Sequence, residues 1–596
     1  MKQRHYLAIC ISSAMLLLTA CGGGGSFGVD TATKPTVIPT NPSTPKQPTL
    51  VDDTSDKRPS EEQLNDFMQP STGQSVFIPR RIAGGRNVTP ETQKDLSQAD
   101  IKTISADFKT DLETVFNDDK IDNSAHTHYA QGNLATQRNE LKFVRSGYFL
   151  QDSGKTIFAP TGRTMGNYGY LFYQGQNPST ALPTENANLI YKGYWDFTTN
   201  AVNDAGRKGL GNTSGYTSYD SISKEEVNVS IKEHDGKPAG IGYSSEFTVN
   251  FNDKTVTGDL KRNGYINRNT TEQEIDTLYK VDAKIHGNRF RGSATANKTD
   301  EQFFKANATN QLEGGFYGDN AEELTGKFLA DDNSLFAVFS ARQQTQDGKL
   351  ADTDTLFDAR QIQADAKTAT LKEQKLDSFG NATQLVINGK VFSLLPTAGA
   401  NATDPLKYNV SDKELNISPC CSNLDYVKFG THWFTNESLY YFLTGERTPV
   451  AKVEAHTGSV QYKGHWDATA ITADGQHSWN PSTGGTDKNR AELTFNFDDK
   501  SFVGSLYAQD ATSPALNLTG KIDKNGFTGS AKTNPNGINT DPKSTGSPPI
   551  LHLDAKVDGA FYGPNAQEVG GTFFSNQDGK DKIAGAFGAK RQVEQP

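Results

Sequence analysis

The chain is poor in sulfur, in tryptophan and in long apolar runs. Its 596 residues include only four Cys, four Met and four Trp. Cysteines at 10, 21, 420 and 421 cannot staple several domains, which excludes a disulfide-dense scaffold. The one long apolar stretch, residues 6–18, is too short to span a bilayer as a mature helix. No other segment qualifies, so any membrane contact is expected through an anchor and not a span. The net charge of −10 is spread along the chain without a basic block, and nucleic acid is not expected as a partner. Catalytic signatures are missing too. There is no Gly-x-Ser-x-Gly elbow and no phosphate-binding loop ending in Lys-Ser/Thr. His126 and His128 form a His-x-His pair without a third ligand type nearby. The Asn252-Asp253-Lys254 and Asp498-Asp499-Lys500 stretches lack the twelve-residue calcium loop, and Glu322-Glu323 has no partner of predictable geometry. The expectation is a binding protein and not an enzyme, with no catalytic, metal or cofactor residues.

Glycine and aromatics are plentiful: 55 Gly, with 33 Phe and 21 Tyr. Glycine punctuating aromatic strands implies a mainly β protein. At the start, Lys2 and Arg4 precede the apolar run, which ends in Leu18-Thr19-Ala20-Cys21. This resembles a bacterial lipobox, in which the cysteine thiol takes a diacylglycerol before cleavage. Cys21 is therefore the expected lipid anchor, and residues 1–20 the signal peptide. No aspartate follows Cys21, which permits sorting to the outer membrane. Residues 21–60 hold Pro35, Pro39, Pro42, Pro45 and Pro48 among polar residues and show no apolar periodicity. Such a segment cannot bury a core and serves as a tether, reaching on the order of 100 Å when extended.

The rest is an internal duplication. Tyr191-Lys192-Gly193-Tyr194-Trp195-Asp196 recurs as Tyr462-Lys463-Gly464-His465-Trp466-Asp467. The segment from Phe247 to Lys254 recurs from Leu493 to Lys500, and Phe290 to Ala294 recurs as Phe527 to Ala531. The run from Gly315 to Glu323 recurs from Ala560 to Glu568. Order is kept throughout, so the chain holds two homologous lobes. Phe247, Val249 and Phe251 alternate onto one strand face, and Asn252-Asp253-Lys254 supplies a turn. Hairpins following one another without helices imply a closed up-and-down barrel. Gly318 and Gly563, in matching loops, are expected at positive φ. A more irregular β-rich segment precedes each barrel, with residues 170–175 aligning with residues 440–445. The expected domains are residues 61–185 and 186–345 in the first lobe, and 346–455 and 456–596 in the second. Leu96, Ile101, Ile104, Phe108, Leu112 and Phe116 recur at near-helical spacing, which predicts short helices near residues 92–116. After cleavage, Cys420 and Cys421 are the only cysteines besides the anchor. They can bond to each other as a strained vicinal disulfide, act as a redox switch, or stay as a free buried pair.

The segment from Cys420 to Gly430 resembles a hallmark of the transferrin-binding protein B family, and the paired Gly-Phe-Tyr-Gly-x-Asn-Ala-x-Glu blocks resemble that family's barrel signature. The resemblance implies a bilobed surface lipoprotein, each lobe a handle domain followed by an eight-stranded antiparallel barrel. It implies capture of iron-loaded host transferrin by the N-lobe and its presentation to a TonB-dependent channel, transferrin-binding protein A. It also implies that the chain itself binds no iron. A sister family binds lactoferrin and carries long acidic runs in its C-lobe. Here Asp498-Asp499 is the longest acidic stretch in the second barrel, which favours transferrin. A surface adhesin or complement-regulator binder is the reading from another class. For the docking surface, Tyr168, Tyr170, Phe172 and Tyr173 gather four aromatics in six residues, and Tyr216 and Tyr219 sit in a Gly- and Ser-rich loop. Aromatics of this kind are enriched at interface hot spots, so these six are the expected transferrin contacts.

Overall fold

The computed structural model describes residues 50–55, 71–78, 82–84, 96–104, 127–129, 141–151, 157–159, 162–165, 168–184, 188–200, 222–223, 233–234, 237–238, 242–266, 273–298, 303–396, 404–482, 488–541 and 544–595. The chain divides into a small unit, Met1–Asp52 with Val593–Pro596, and a large one, Asp53–Gln592. The small unit contains the short strand Leu50–Asp52. Both lobes lie in the large unit.

The N-lobe opens with a five-stranded antiparallel handle sheet. Its strands are β1 (Gly73–Ile78), β2 (Ile101–Thr103), β3 (Thr127–Tyr129), β4 (Val144–Gln151) and β5 (Tyr168–Gly175), in the order β2-β1-β5-β4-β3. A short strand β6 (Ala181–Pro183) leads into the barrel. The barrel is closed by eight strands: β7 (Leu189–Thr199), β8 (Tyr243–Asn250), β9 (Thr255–Ile266), β10 (Gln273–His286), β11 (Arg289–Ala296), β12 (Ala308–Tyr317), β13 (Glu323–Leu329) and β14 (Leu335–Gln343). An interlobe strand β15 (Thr353–Thr355) follows.

The C-lobe repeats the plan. A six-stranded handle sheet contains β16 (Phe357–Asp365), β17 (Thr370–Lys375), β20 (Leu406–Val410), β21 (Lys413–Cys420), β22 (Val427–Phe434) and β23 (Leu439–Glu446), and a separate hairpin is formed by β18 (Gln384–Ile387) and β19 (Lys390–Ser393). Helix α1 (Val450–Glu454) precedes the second barrel. That barrel runs from β24 (Ser459–Ile471) through β25 (Arg490–Asn496), β26 (Ser501–Tyr507), β27 (Leu516–Asp523), β28 (Gly526–Lys532), β29 (Asp554–Tyr562) and β30 (Glu568–Ser575) to β31 (Lys582–Glu594), which pairs back on β24.

The duplicated motifs close the barrels in the same way twice. Period-2 alternation sends Tyr191, Trp195 and Phe197 inward, as it sends Tyr462 and Trp466 inward in the second barrel. Their polar tips still need partners inside. Tyr191 donates to the Ala321 carbonyl at 2.7 Å, and Tyr462 to the Ala566 carbonyl at 2.8 Å. Each indole N–H, Trp195 and Trp466, donates to a strand carbonyl at 3.0 Å, from Lys261 and Tyr507. The expected turns are present: Lys254 and Lys500 take matching positive φ values of 54° and 50°, and Gly318 and Gly563 take 93° and 87°.

The outer surface of each barrel carries the handle. In β14 the odd residues Leu335, Ala337 and Phe339 line the barrel interior, while Phe336 and Val338 face out. Those outward groups pack with Leu329 against Val76, Ile78, Leu171 and Tyr173 of the handle, so β14 is apolar on both faces. A carboxylate fixes the register. Glu323 accepts the backbone N–H groups of Lys142, Phe143 and Val144 at 2.8 to 3.0 Å. Glu568 does the same for Asp425, Tyr426 and Val427 at 2.7 to 3.0 Å. Close approach needs glycine here: a β-carbon on Gly175 would lie inside the Tyr317 ring, and one on Gly445 inside the Tyr562 ring.

The helix predicted near residues 92–116 is corrected over its described part. Gln98–Asp100 is a single 3-10 turn, and Ile101–Thr103 pairs antiparallel with Gln74, Ser75 and Val76. Leu96 joins the handle core, with Ile101 packed against it. The handle sheet offered an edge to pair with, which outweighed weak helical spacing. Residues 105–116 lie outside the described residues.

Candidate functional site

The two handles present their outer faces differently. In β5, Leu171 and Tyr173 point at the barrel, so Tyr170 and Phe172 share the opposite face. Phe77, in register with Tyr170 on β1, stands on that face with 40% of its surface exposed. The two rings meet edge to face, with centroids 5.3 Å apart and planes at 61°. In the C-lobe the position equivalent to Phe77, in register with Tyr440, is Gln363 and not an aromatic. Phe442, the counterpart of Phe172, is buried with Leu385, Ile387, Phe392 and Leu394 of the β18–β19 hairpin region. Tyr440, the counterpart of Tyr170, stacks on His432 at 4.8 Å and 6°. Burial pushes the His432 imidazole down to about 4, so it is neutral at physiological pH.

The sequence-selected aromatics are thus divided. Tyr170 is half-buried in the open pair. Tyr168 belongs to the same strand, but its side chain is outside the described part, as are Tyr216, Tyr219 and Cys21. Phe172 and Tyr173 are corrected as contacts, because they keep 2% and 0% exposure and offer no ring surface to a partner. Tyr173 faces the barrel by strand parity. Burial raises its phenol, the nearby Glu313 raises it further, and Arg289 opposes both. Phe172 shares the outer parity, in register with Ser75 and Gly147, and is buried all the same. Phe77 was missed. Its signal was the alternation Val76-Phe77-Ile78, in which an aromatic between two inward aliphatics must face out.

Charge is concentrated at the C-lobe seam between handle and barrel. Arg447 donates to both oxygens of the buried Asp358, Nε at 2.6 Å and Nη2 at 2.7 Å, and the Tyr562 hydroxyl adds a bond at 2.8 Å. Arg360 lies 3.5 Å from Asp358 and 2.6 Å from Asp558. Burial alone would raise Asp358, but Arg447 and Arg360 hold its carboxyl at about 2. Asp358, Arg360, Arg447 and Asp558 line a cleft of about 440 Å³, where acid and base neutralise each other as structural ion pairs. Cys420 and Cys421 are joined by a disulfide across a cis peptide and pack against Leu424, Tyr426 and Phe429. Among the described residues no three metal-type side chains cluster, and no helix is long and apolar enough to cross a membrane.

Known proteins resemble the chain along most of its length. Residues 182–343 and 455–591 match the family described as the C-lobe and N-lobe β-barrels of Tf-binding protein B. Residues 354–448 match its C-lobe handle domain, and residues 49–179 its N-lobe handle. Transferrin-binding protein B of Neisseria meningitidis serogroup B is 35% identical over 602 residues, covering 97% of each chain. That of Moraxella catarrhalis is 33% identical, covering 87% of this chain and 76% of its own. Among solved structures, the isotype 1 protein of serogroup B Neisseria meningitidis superposes with a TM-score of 0.71 at 34% identity, covering 88% of this chain and 100% of that one. The intact two-lobed Ap-TbpB gives 0.68 at 31% identity, with coverage of 92% and 100%.

Proposed function

The chain belongs to the transferrin-binding protein B family, and from that premise we propose that it is a cell-surface receptor that captures host transferrin with the outer face of its N-lobe handle. It is a binding protein and not an enzyme. The iron-loaded ligand is preferred, and the receptor hands it to a TonB-dependent outer-membrane channel, transferrin-binding protein A. Lipid on Cys21 tethers it to the outer membrane. The observation that carries the docking surface is the contrast between handles: Phe77, 40% exposed, stands edge to face with Tyr170, whereas in the C-lobe the position in register with Tyr440 is Gln363 and Tyr440 stacks on His432 instead. Aromatic anchors on a rigid sheet bury much area at small entropic cost.

Calorimetry of the chain from Cys21 onward against iron-loaded and iron-free transferrins of several mammals tests this reading. Tighter binding of the loaded form is expected, because the preference equals the difference in affinity between the ligand's two states. Binding to none of them removes the reading, and equal affinities remove the iron preference. Phe77→Ala should weaken binding by about 2 kcal/mol or more, roughly 30-fold, without lowering the melting temperature. Unchanged affinity in that variant excludes this face. For the anchor, Cys21→Ala should abolish labelling by a palmitate analogue and leave the precursor unprocessed or free of the membrane fraction. Normal labelling would show that the lipid sits elsewhere.

A further inference from the structure

Residues 351–357, at the start of the segment that the sequence assigns to the C-lobe handle, are built into both lobes. Its strand β15 pairs with β6, matching Ala181 with Thr355 and Pro183 with Thr353. The Leu356 and Phe357 N–H groups both donate to the Thr180 carbonyl, at 2.8 and 3.1 Å. Phe357 then enters the core of the N-lobe barrel beside Leu182, with Leu356 and Ala351 packed against it. The C-lobe barrel fills its core with its own Val453 from α1. On the other side, the Leu356 carbonyl accepts the Arg447 N–H at 2.7 Å.

Two asparagines at equivalent hairpin turns tie this seam. Asn525 Nδ2 donates to the carbonyls of Thr448 and Thr355 at 2.9 and 2.8 Å. Asn288 Nδ2 donates to Ser179 in its own lobe at 2.8 Å and to Ser378 in the other lobe at 2.7 Å. Beside Asn288 the backbones touch. A β-carbon on Gly287 would come within 2.7 Å of the Phe379 carbonyl oxygen, and one on Gly380 within 3.0 Å of the Asn288 nitrogen. Both glycines hold positive φ, 60° and 72°, so neither position suits another residue. The Arg289 guanidinium lies over the Phe379 ring at 5.3 Å.

We propose that this seam locks the two lobes into one rigid body, with residues 351–357 acting as the stopper of the N-lobe barrel and not as a hinge. The handle face of the N-lobe is then held at one attitude to the C-lobe. The inference does not depend on the ligand. Hydrogen exchange on the full mature chain tests it. The Leu356 and Phe357 amides should exchange as slowly as amides in the middle of β14. Exchange at the rate of an exposed turn would overturn the proposal. Gly380→Val drives side-chain carbons into the Gly287–Asn288 backbone. It should raise exchange at both amides at least tenfold and increase the radius of gyration in small-angle scattering. If that variant does not fold, Asn288→Ala, which removes the bond to Ser378 without steric conflict, should still raise exchange at both amides. Protection unchanged from the parent in a folded variant means that the seam does not hold the lobes.

Discussion

Asp358→Ala is expected to cost about 3–5 kcal/mol of C-lobe stability, because it strands a buried cation. Among the described residues Asp358 is the sole carboxylate that meets Arg447, and Arg447 grips it with two nitrogens at 2.6 and 2.7 Å. Arg360 would keep Asp558, but Arg447 would retain only the amide oxygen of Asn525 at 3.5 Å, and the Tyr562 hydroxyl would lose its acceptor. Guanidinium cannot shed its proton to escape, so the whole desolvation penalty falls on the fold. The pH dependence follows from the direction of the shift. The folded carboxyl titrates at about 2, below the roughly 3.9 of an unfolded aspartate. Its contribution is complete above about pH 4 and is lost as pH falls toward 2. The gap between parent and variant should therefore be widest near neutrality and narrow in acid. Urea unfolding followed by tryptophan fluorescence reads this lobe well, since Trp433, Trp466 and Trp479, three of the four tryptophans, lie in it. A variant within 1 kcal/mol of the parent at pH 7 would mean that the ion pair is not structural.

Among the described residues the N-lobe seam has no such pair, which shows what duplication reveals in a sequence and what it hides. The repeated motifs exposed the barrel scaffold, because each copied residue has a fixed job inside one lobe. Trp195 and Trp466 fill and bond, Glu323 and Glu568 collect three backbone donors, and Gly175 and Gly445 admit a tyrosine ring. The chemistry between domains was not copied. Pro178 bridges to Tyr317 where Arg447 bridges to Tyr562, so the N-lobe seam lacks the arginine of the pair at that position. The N-lobe seam instead buries Arg289 against the Ser71 carbonyl and the Tyr317 hydroxyl, at 2.8 and 3.0 Å. Asp358 and Arg447 lie 89 residues apart, and Ser71 and Arg289 218, so neither contact leaves a local pattern to read. The interlobe segment is a second case: Phe357 begins a strand of the C-lobe handle yet packs in the N-lobe core.

Tyr173→Ala should lower N-lobe stability by about 3–5 kcal/mol, the range for a buried aromatic cut to a methyl group. Aromatic density drew attention to this residue as a contact, but density does not say which face a ring takes. Strand parity does. Tyr173 shares its face with Leu171, and both pack with Val76 and Ile78 onto Leu329, Phe336 and Val338 of the barrel. Cutting the ring leaves a cavity between two sheets, each fixed by its own hydrogen bonds, so little collapse can refill it. Tyr173→Phe keeps the ring and removes only a hydroxyl set near Arg289 and Glu313, so it should cost far less. Tyr170→Ala, on the half-open outer face, should cost less again in stability but weaken transferrin binding. Thermal unfolding and affinity measured on the same three variants separate the roles. Below its melting temperature, Tyr173→Ala should bind transferrin like the parent, because the docking face keeps Phe77 and Tyr170. A Tyr173→Ala protein that melts normally yet loses binding 30-fold would instead place that ring at the interface, and the handle would have to be packed on its barrel by some other face.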